Sequence, residues 1–234
     1  MSRFFGGLMK IGVIILARTN FGRWPDKILY ELEGKPIFEW VIIKAKTLGI
    51  PVIVSTTANI EDQIIVDTAE HLGAIVSIGN PDDRNERHAQ AIIENRLDYI
   101  LPVSPVWPFF DIEYTKKLIS KLISYPGFES YSIGTPTQAV PHAIKAQQII
   151  DNLDNPDRGQ EIFTNFKLST HKLVYEYDNP KVRSRYLFNY NIAFKYQAEI
   201  HKAICDYIGH FPKNHDELRN ALLKMDVKIT GGIE

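Results

Sequence analysis

Four short apolar runs recur through the first half of the chain: Lys10–Ala17, Pro51–Ser55, Ala74–Ile78 and Tyr99–Val103. Each is nearly free of polar residues and too short for a full helix. All four read as strands, and the continuous Lys10–Ala17 run has the pattern of one covered on both faces. Segments of helical spacing lie between them. Pro36–Leu48 sets Ile37, Trp40, Val41, Ala45 and Leu48 along one face, with Pro36 suited to the first turn and Gly49 as a stop. Asn59 is expected to cap a helix whose apolar face includes Ile64, Ile65 and Ala69, ending at Gly73. Asp82 or Asp83 opens another helix running to about Asn95, and Asp111 caps one continuing to about Ser124. Strand, helix, strand repeated three times predicts an α/β fold with a mostly parallel central sheet and flanking helices. Ligands of such sheets lie beyond the carboxyl ends of the strands. The loops of interest are therefore Arg18–Lys27, Ser55–Asn59, Gly79–Arg87 and Ser104–Asp111.

The second half is less regular. Tyr131–Thr135 and Arg185–Tyr190 read as strands, Lys195–Ile208 and His215–Met225 as helices, and Asp151–Gly159 as an exposed loop. With 234 residues the chain suits a single domain, residues 1–125 forming one half and residues 126–234 the other. The net charge of −1 offers no global field for nucleic acid. Cys205 is the one cysteine, which excludes a disulfide framework or a thiolate zinc site and fits a reducing cytoplasm. The run Ile11–Leu16 is too short to cross a bilayer, so no membrane association is expected.

The loop Ala17-Arg18-Thr19-Asn20-Phe21-Gly22-Arg23-Trp24-Pro25-Asp26-Lys27 is the most informative stretch. It gathers three cations, a glycine and a proline directly after a buried strand. Backbone N–H groups and cations so placed can face phosphates. A solvated turn with clustered cations is the plainer alternative. The chain contains neither GxxxxGK[ST] nor GxGxxG, so this is neither a Walker loop nor a dinucleotide fingerprint.

Ala17-Arg18, Arg23-x-Pro25-x-Lys27 and Gly34-Lys35-Pro36 resemble the signature of cytidylyltransferases in the nucleotide-diphospho-sugar transferase superfamily. The pattern is most similar to the SpsF-like spore-coat-polysaccharide group, related to CMP-Kdo and CMP-sialate synthetases, which reads A-R-x-x-S-x-R-L-P-G-K. Asp82-Asp83-x-x-x-Arg87 with Gln90-Ala91 is similar to that group's acidic segment entering an arginine-bearing helix, and Trp107–Asp111 stands at its C-P-L-I-D-like segment. Arg158–Thr164 distantly resembles an R-E-H-V-T motif, and Phe211–Met225 the closing helix. The resemblance implies a GT-A/Rossmann-like fold that takes CTP or another nucleoside triphosphate and a small sugar or sugar-acid acceptor. It implies Arg18 and Lys27 as catalytic cations, and Ala17, Arg18, Arg23, Lys27, Ser55, Thr56, Asp83 and Arg87 as nucleotide-binding residues. Arg158 is the candidate to reach the sugar, as is Arg185, whose plainer reading is a surface charge, and a homodimer is expected. Ser55 and Thr56 also read as ordinary polar residues closing a strand.

The same resemblance implies Mg²⁺ held by two aspartates. Val106 and Asn191 stand at those positions. A valine offers no side-chain ligand and an asparagine only a neutral oxygen. Asp111 is left as the candidate metal carboxylate, against its simpler reading as a helix cap. Three readings stay open: a shifted metal site at Asp111, Mg²⁺ carried by the triphosphate, or a nucleotide-binding module without catalysis. A glycosyltransferase on the same fold lacks an Asp-x-Asp anchor here. His201 and Cys205, four apart on a helix, read as an ordinary helix face rather than metal ligands.

Overall fold

The structure is a computed structural model that describes residues 9–20, 24–127, 130–134, 140–155, 171–176 and 195–225. Arg185–Tyr190, expected as a strand, lies outside the described residues. In chain order the elements are β1 (Ile11–Leu16), β2 (Glu31–Leu32), β3 (Lys35–Pro36), α1 (Ile37–Lys46), β4 (Val52–Thr57), α2 (Gln63–His71), β5 (Ile75–Gly79), α3 (Arg84–Asn95) and β6 (Tyr99–Val103). They continue with α4 (Ile112–Ser124), β7 (Ser130–Gly134), β8 (Ala143–Lys145), α5 (Ala146–Asp151), β9 (His171–Glu176), α6 (Lys195–Ile208) and α7 (His215–Lys224). The main sheet runs β5-β4-β1-β6-β8-β7-β9. β5, β4, β1 and β6 pair in parallel, and β8 is antiparallel to both its neighbours.

β1, β4 and β6 are buried on both faces, as their composition requires, whereas β5 at the sheet edge leaves Ile75 and Ile78 44% and 46% exposed. Val13 and Ile15 of β1 join α1, α2, α4, α6 and α7 in the larger core, while Ile14 turns to the opposite face with Ile53, Ile100 and Ile144. That second face is covered by Ala89 and Ile92 of α3 and Ala146 and Ile149 of α5. The chain order departs from 5-4-1 to place β6 on the other side of β1. Outgoing connections therefore diverge between β1 and β6, the position where open α/β sheets form a crevice.

Three expectations change. The polar connection before α1 is a β2–β3 ribbon turned by Glu33 and Gly34 with φ of 48° and 71°. Glycine suits that left-handed position because it carries no Cβ. Asn59 precedes a 3₁₀ turn over Ile60–Asp62 and makes no side-chain cap; α2 begins only at Gln63. Ile64, expected on the apolar face, is 47% exposed, leaving Ile65 and Ala69 as the buried face. Finally, β8 and α5 had no clear signal in the sequence, and Asp151 closes α5 instead of opening a loop.

Candidate functional site

The carboxyl ends of β1, β4, β5 and β6 deliver their loops to one edge of the sheet. Ala17 is buried and continues the strand's pairing through its N–H to the Ser55 carbonyl. The loop that follows is closed at its base, where Asp26 N–H donates to the Thr19 carbonyl at 3.0 Å. Asp26 adopts φ 56° and ψ 11° to do so. Left-handed backbone explains why the pattern resembled above carries glycine at this position; aspartate is among the few other residues that tolerate it. Lys27 then enters a 3₁₀ turn, half-buried, and loss of solvent lowers its pKa from the ordinary lysine value.

Arg18 and Arg87 meet. Arg18 Nη1 donates to the Pro81 carbonyl at 2.8 Å, and Arg87 Nη1 donates to the same oxygen at 3.0 Å and to the Asn80 carbonyl at 3.1 Å. Two guanidinium nitrogens on one acceptor lie no further apart than about 6 Å, where like charges repel by about 2–3 kcal/mol at an effective dielectric of 20. Arg87 is 2% exposed, and its pKa is lowered by burial first and by Arg18 and Arg84 next, with Asp62 and Asp83 opposing. Its Nε is buried with no hydrogen-bond partner. Two guanidinium groups converging on backbone carbonyls concentrate positive charge at this edge of the sheet. α3 must lie close to β5 for this, and glycine permits it. A Cβ built on Gly79 would stand 3.1 Å from Arg87 Cγ.

The remaining expected residues divide by role. Asp83 caps α3, its Oδ1 accepting from Asn85 N–H at 2.8 Å and Glu86 N–H at 3.0 Å. Asp83→Ala is expected to cost about 1 kcal/mol of stability in urea denaturation and Asp83→Asn little, the usual scale for an N-cap. Ser55 Oγ donates to the Arg87 carbonyl at 3.3 Å, bracing the same turn of α3. Thr56 is fully buried and its hydroxyl finds no hydrogen-bond partner. Asp111 caps α4 through Tyr114 N–H at 3.0 Å. Arg23, Arg158, Arg185 and Asn191 lie outside the described residues.

The loop after β6 is mostly apolar inside. Val106 is 4% exposed and packed in the larger core. Phe109 stacks on His201 of α6 with ring centroids 4.8 Å apart, and Phe211 stacks on Trp40 of α1 at 3.9 Å. Burial lowers the His201 pKa to about 4, and that of His88, directly after Arg87, to about 3. Burial pushes the Cys205 thiol up to about 12, leaving it unreactive. Among the described residues no cluster of three or more His, Cys, Asp or Glu side chains could hold a metal ion. Mg²⁺ takes only one or two carboxylates beside substrate phosphates and waters, so this bears on an all-protein cage alone.

Asp62 escaped the sequence reading altogether. It is 1% exposed, and its Oδ1 accepts from Thr19 N–H at 2.7 Å and Thr19 Oγ1 at 2.9 Å. Its Oδ2 accepts from the Thr57 hydroxyl. Nothing in its spacing marks it, because the loop it holds is 43 residues away.

The chain matches the family model described as "Cytidylyltransferase" over residues 12–224. It is 24% identical over 218 residues to a 3-deoxy-manno-octulosonate cytidylyltransferase of Alteromonas mediterranea, covering 91% of this chain and 84% of that protein. Among solved structures it resembles a cytidylyltransferase from Leptospira borgpetersenii, with TM-score 0.79 and 18% identity, covering 97% of this chain and 100% of the other. It also resembles a CMP:2-keto-3-deoxy-manno-octonic acid synthetase complexed with CTP, with TM-score 0.54 and 15% identity, covering 65% of this chain and 80% of that one. At these identities the structural likenesses speak for the fold. No helix among the described residues is long and apolar enough to cross a membrane.

Proposed function

The chain belongs to the cytidylyltransferase family, and from that premise we propose that it transfers CMP from CTP to a sugar acid or related sugar destined for surface polysaccharide. An acceptor hydroxyl attacks the α-phosphorus, the α–β anhydride bond breaks, and pyrophosphate leaves while the hydroxyl proton passes to solvent. The observation that carries this reading is the convergence of Arg18 and Arg87 on the Pro81 carbonyl at the carboxyl edge of the sheet. Negative charge grows on the departing pyrophosphate, and fixed cations stabilise it without rearranging. Lys27, half-desolvated at the end of the same loop, joins them. The named relative acts on 3-deoxy-manno-octulosonate, which makes a sugar acid the first acceptor class to try. A cytoplasmic homodimer is part of the reading. No step is routed through Mg²⁺.

A second reading has its own support: Val106, buried where the resemblance places a metal aspartate, favours a nucleotide-binding module that transfers nothing. Thermal shift with the four nucleoside triphosphates, with and without Mg²⁺, separates the two when paired with pyrophosphate release across a sugar-acid panel. The enzyme gives a CTP-selective shift and pyrophosphate. A CTP shift with no pyrophosphate from any acceptor selects the binding module. No shift with any nucleotide overturns both.

A further inference from the structure

We infer that Asp62 is a positioning residue that fixes the phosphate-facing turn from beneath, acting through Thr19. The inference rests on the nucleotide reading above. A carboxylate taken out of water loses several kcal/mol of hydration unless donors replace it. Here a backbone N–H and two hydroxyls do so, all neutral, and two of the three belong to Thr19. The residue next to Thr19 is Arg18, whose guanidinium shares the Pro81 carbonyl with Arg87. Asp62 thus holds the backbone from which one cation of the pair extends, while Thr57 at the end of β4 holds Asp62. Its charge also opposes the lowering of the Arg87 pKa, so one buried anion steadies both arginines without bridging to either.

The arrangement gives the turn two separate ties. Asp26 N–H to the Thr19 carbonyl closes the loop on itself, but that bond moves with the loop. The bond from Thr19 N–H to Asp62 anchors the closed loop to the next strand's connection. Thr19 uses its N–H, its carbonyl and its hydroxyl in these contacts, which fixes its own backbone. Reach and aim of Arg18 follow from that anchor, and displacement by an ångström at such a site can cost about two orders of magnitude in effect.

The test compares inorganic tripolyphosphate, CTP and CMP binding by calorimetry in the full chain. Asp62→Ala is expected to weaken tripolyphosphate and CTP binding about tenfold and to shrink the CTP-to-CMP affinity ratio. Asp62→Asn keeps an acceptor for Thr19 N–H and is expected to restore affinity to within about threefold of wild type. Should Asp62→Ala fail to fold, Thr57→Val serves instead. It removes the bond on Oδ2 and an acceptor for Asn59 N–H, both remote from the loop, and is expected to reduce polyphosphate affinity while sparing the contribution of the base. An unchanged CTP-to-CMP ratio in a folded Asp62→Ala or Thr57→Val protein overturns the assignment alone. Failure of wild-type protein to bind tripolyphosphate or CTP overturns the nucleotide reading and the assignment together.

Discussion

An Arg18→Met protein is expected to bind CTP about 10- to 150-fold more weakly than wild type, a loss of about 1.5–3 kcal/mol for one charge-assisted contact. Methionine keeps much of the stem, so the loss reports the charge. Lys27→Ala is expected to fall in the same range, since its ammonium is already partly desolvated and has less hydration to surrender on meeting a phosphate. Arg87→Met tests the pairing. Arg18 and Arg87 share one carbonyl, so removing either relieves their mutual repulsion as well as deleting a cation. The double variant is therefore expected to lose less than the two single losses combined. Isothermal titration with CTP on the four proteins completes the cycle. Wild-type affinity in a folded Arg18→Met protein removes Arg18 from the site, and strict additivity dissolves the pair.

The parallel half of the fold was legible because its signals are local. β1, β4, β5 and β6 announce themselves as uninterrupted apolar runs, and the caps at Asp83 and Asp111 stand where helical spacing begins. The cations Arg18 and Lys27 were legible from their place after a buried strand. Tertiary choices were not. β8 is three residues long and antiparallel to its neighbours, so its pairing is decided by β6 and β7 on either side of it rather than by any pattern of its own. The start of α2 slipped because Asn59 looks like a cap while the chain makes a 3₁₀ turn that carries Asp62 inward. Local preference yielded there to a buried carboxylate with three donors. Asp111 shows the local case: its Oδ1 accepts from Tyr114 N–H, the cap that helical spacing predicted.

Acid is expected to destabilise this protein well before its carboxylates titrate. His88 and His201 are 3% and 1% exposed, and burial holds their folded-state pKa values at about 3 and about 4. In the unfolded chain each returns to about 6.5. Between those values the unfolded state binds the proton and the folded state does not, so stability falls as pH drops. The full contribution is present above about pH 6.5 and shrinks by up to about 1.4 kcal/mol per pH unit for each histidine below it. From pH 7.5 to pH 5.0 the pair removes about 4 kcal/mol, a large share of the 5–15 kcal/mol that domains possess. The effect reaches the candidate site, because His201 stacks on Phe109 in the loop after β6 and His88 follows Arg87 on α3. Urea denaturation at the two pH values measures the loss. His201→Phe keeps a ring against Phe109 while deleting the titration, and is expected to halve the pH slope. A wild-type stability that stays flat down to pH 5.0, or a slope untouched by His201→Phe, would show that these imidazoles are not the groups that take up protons on unfolding.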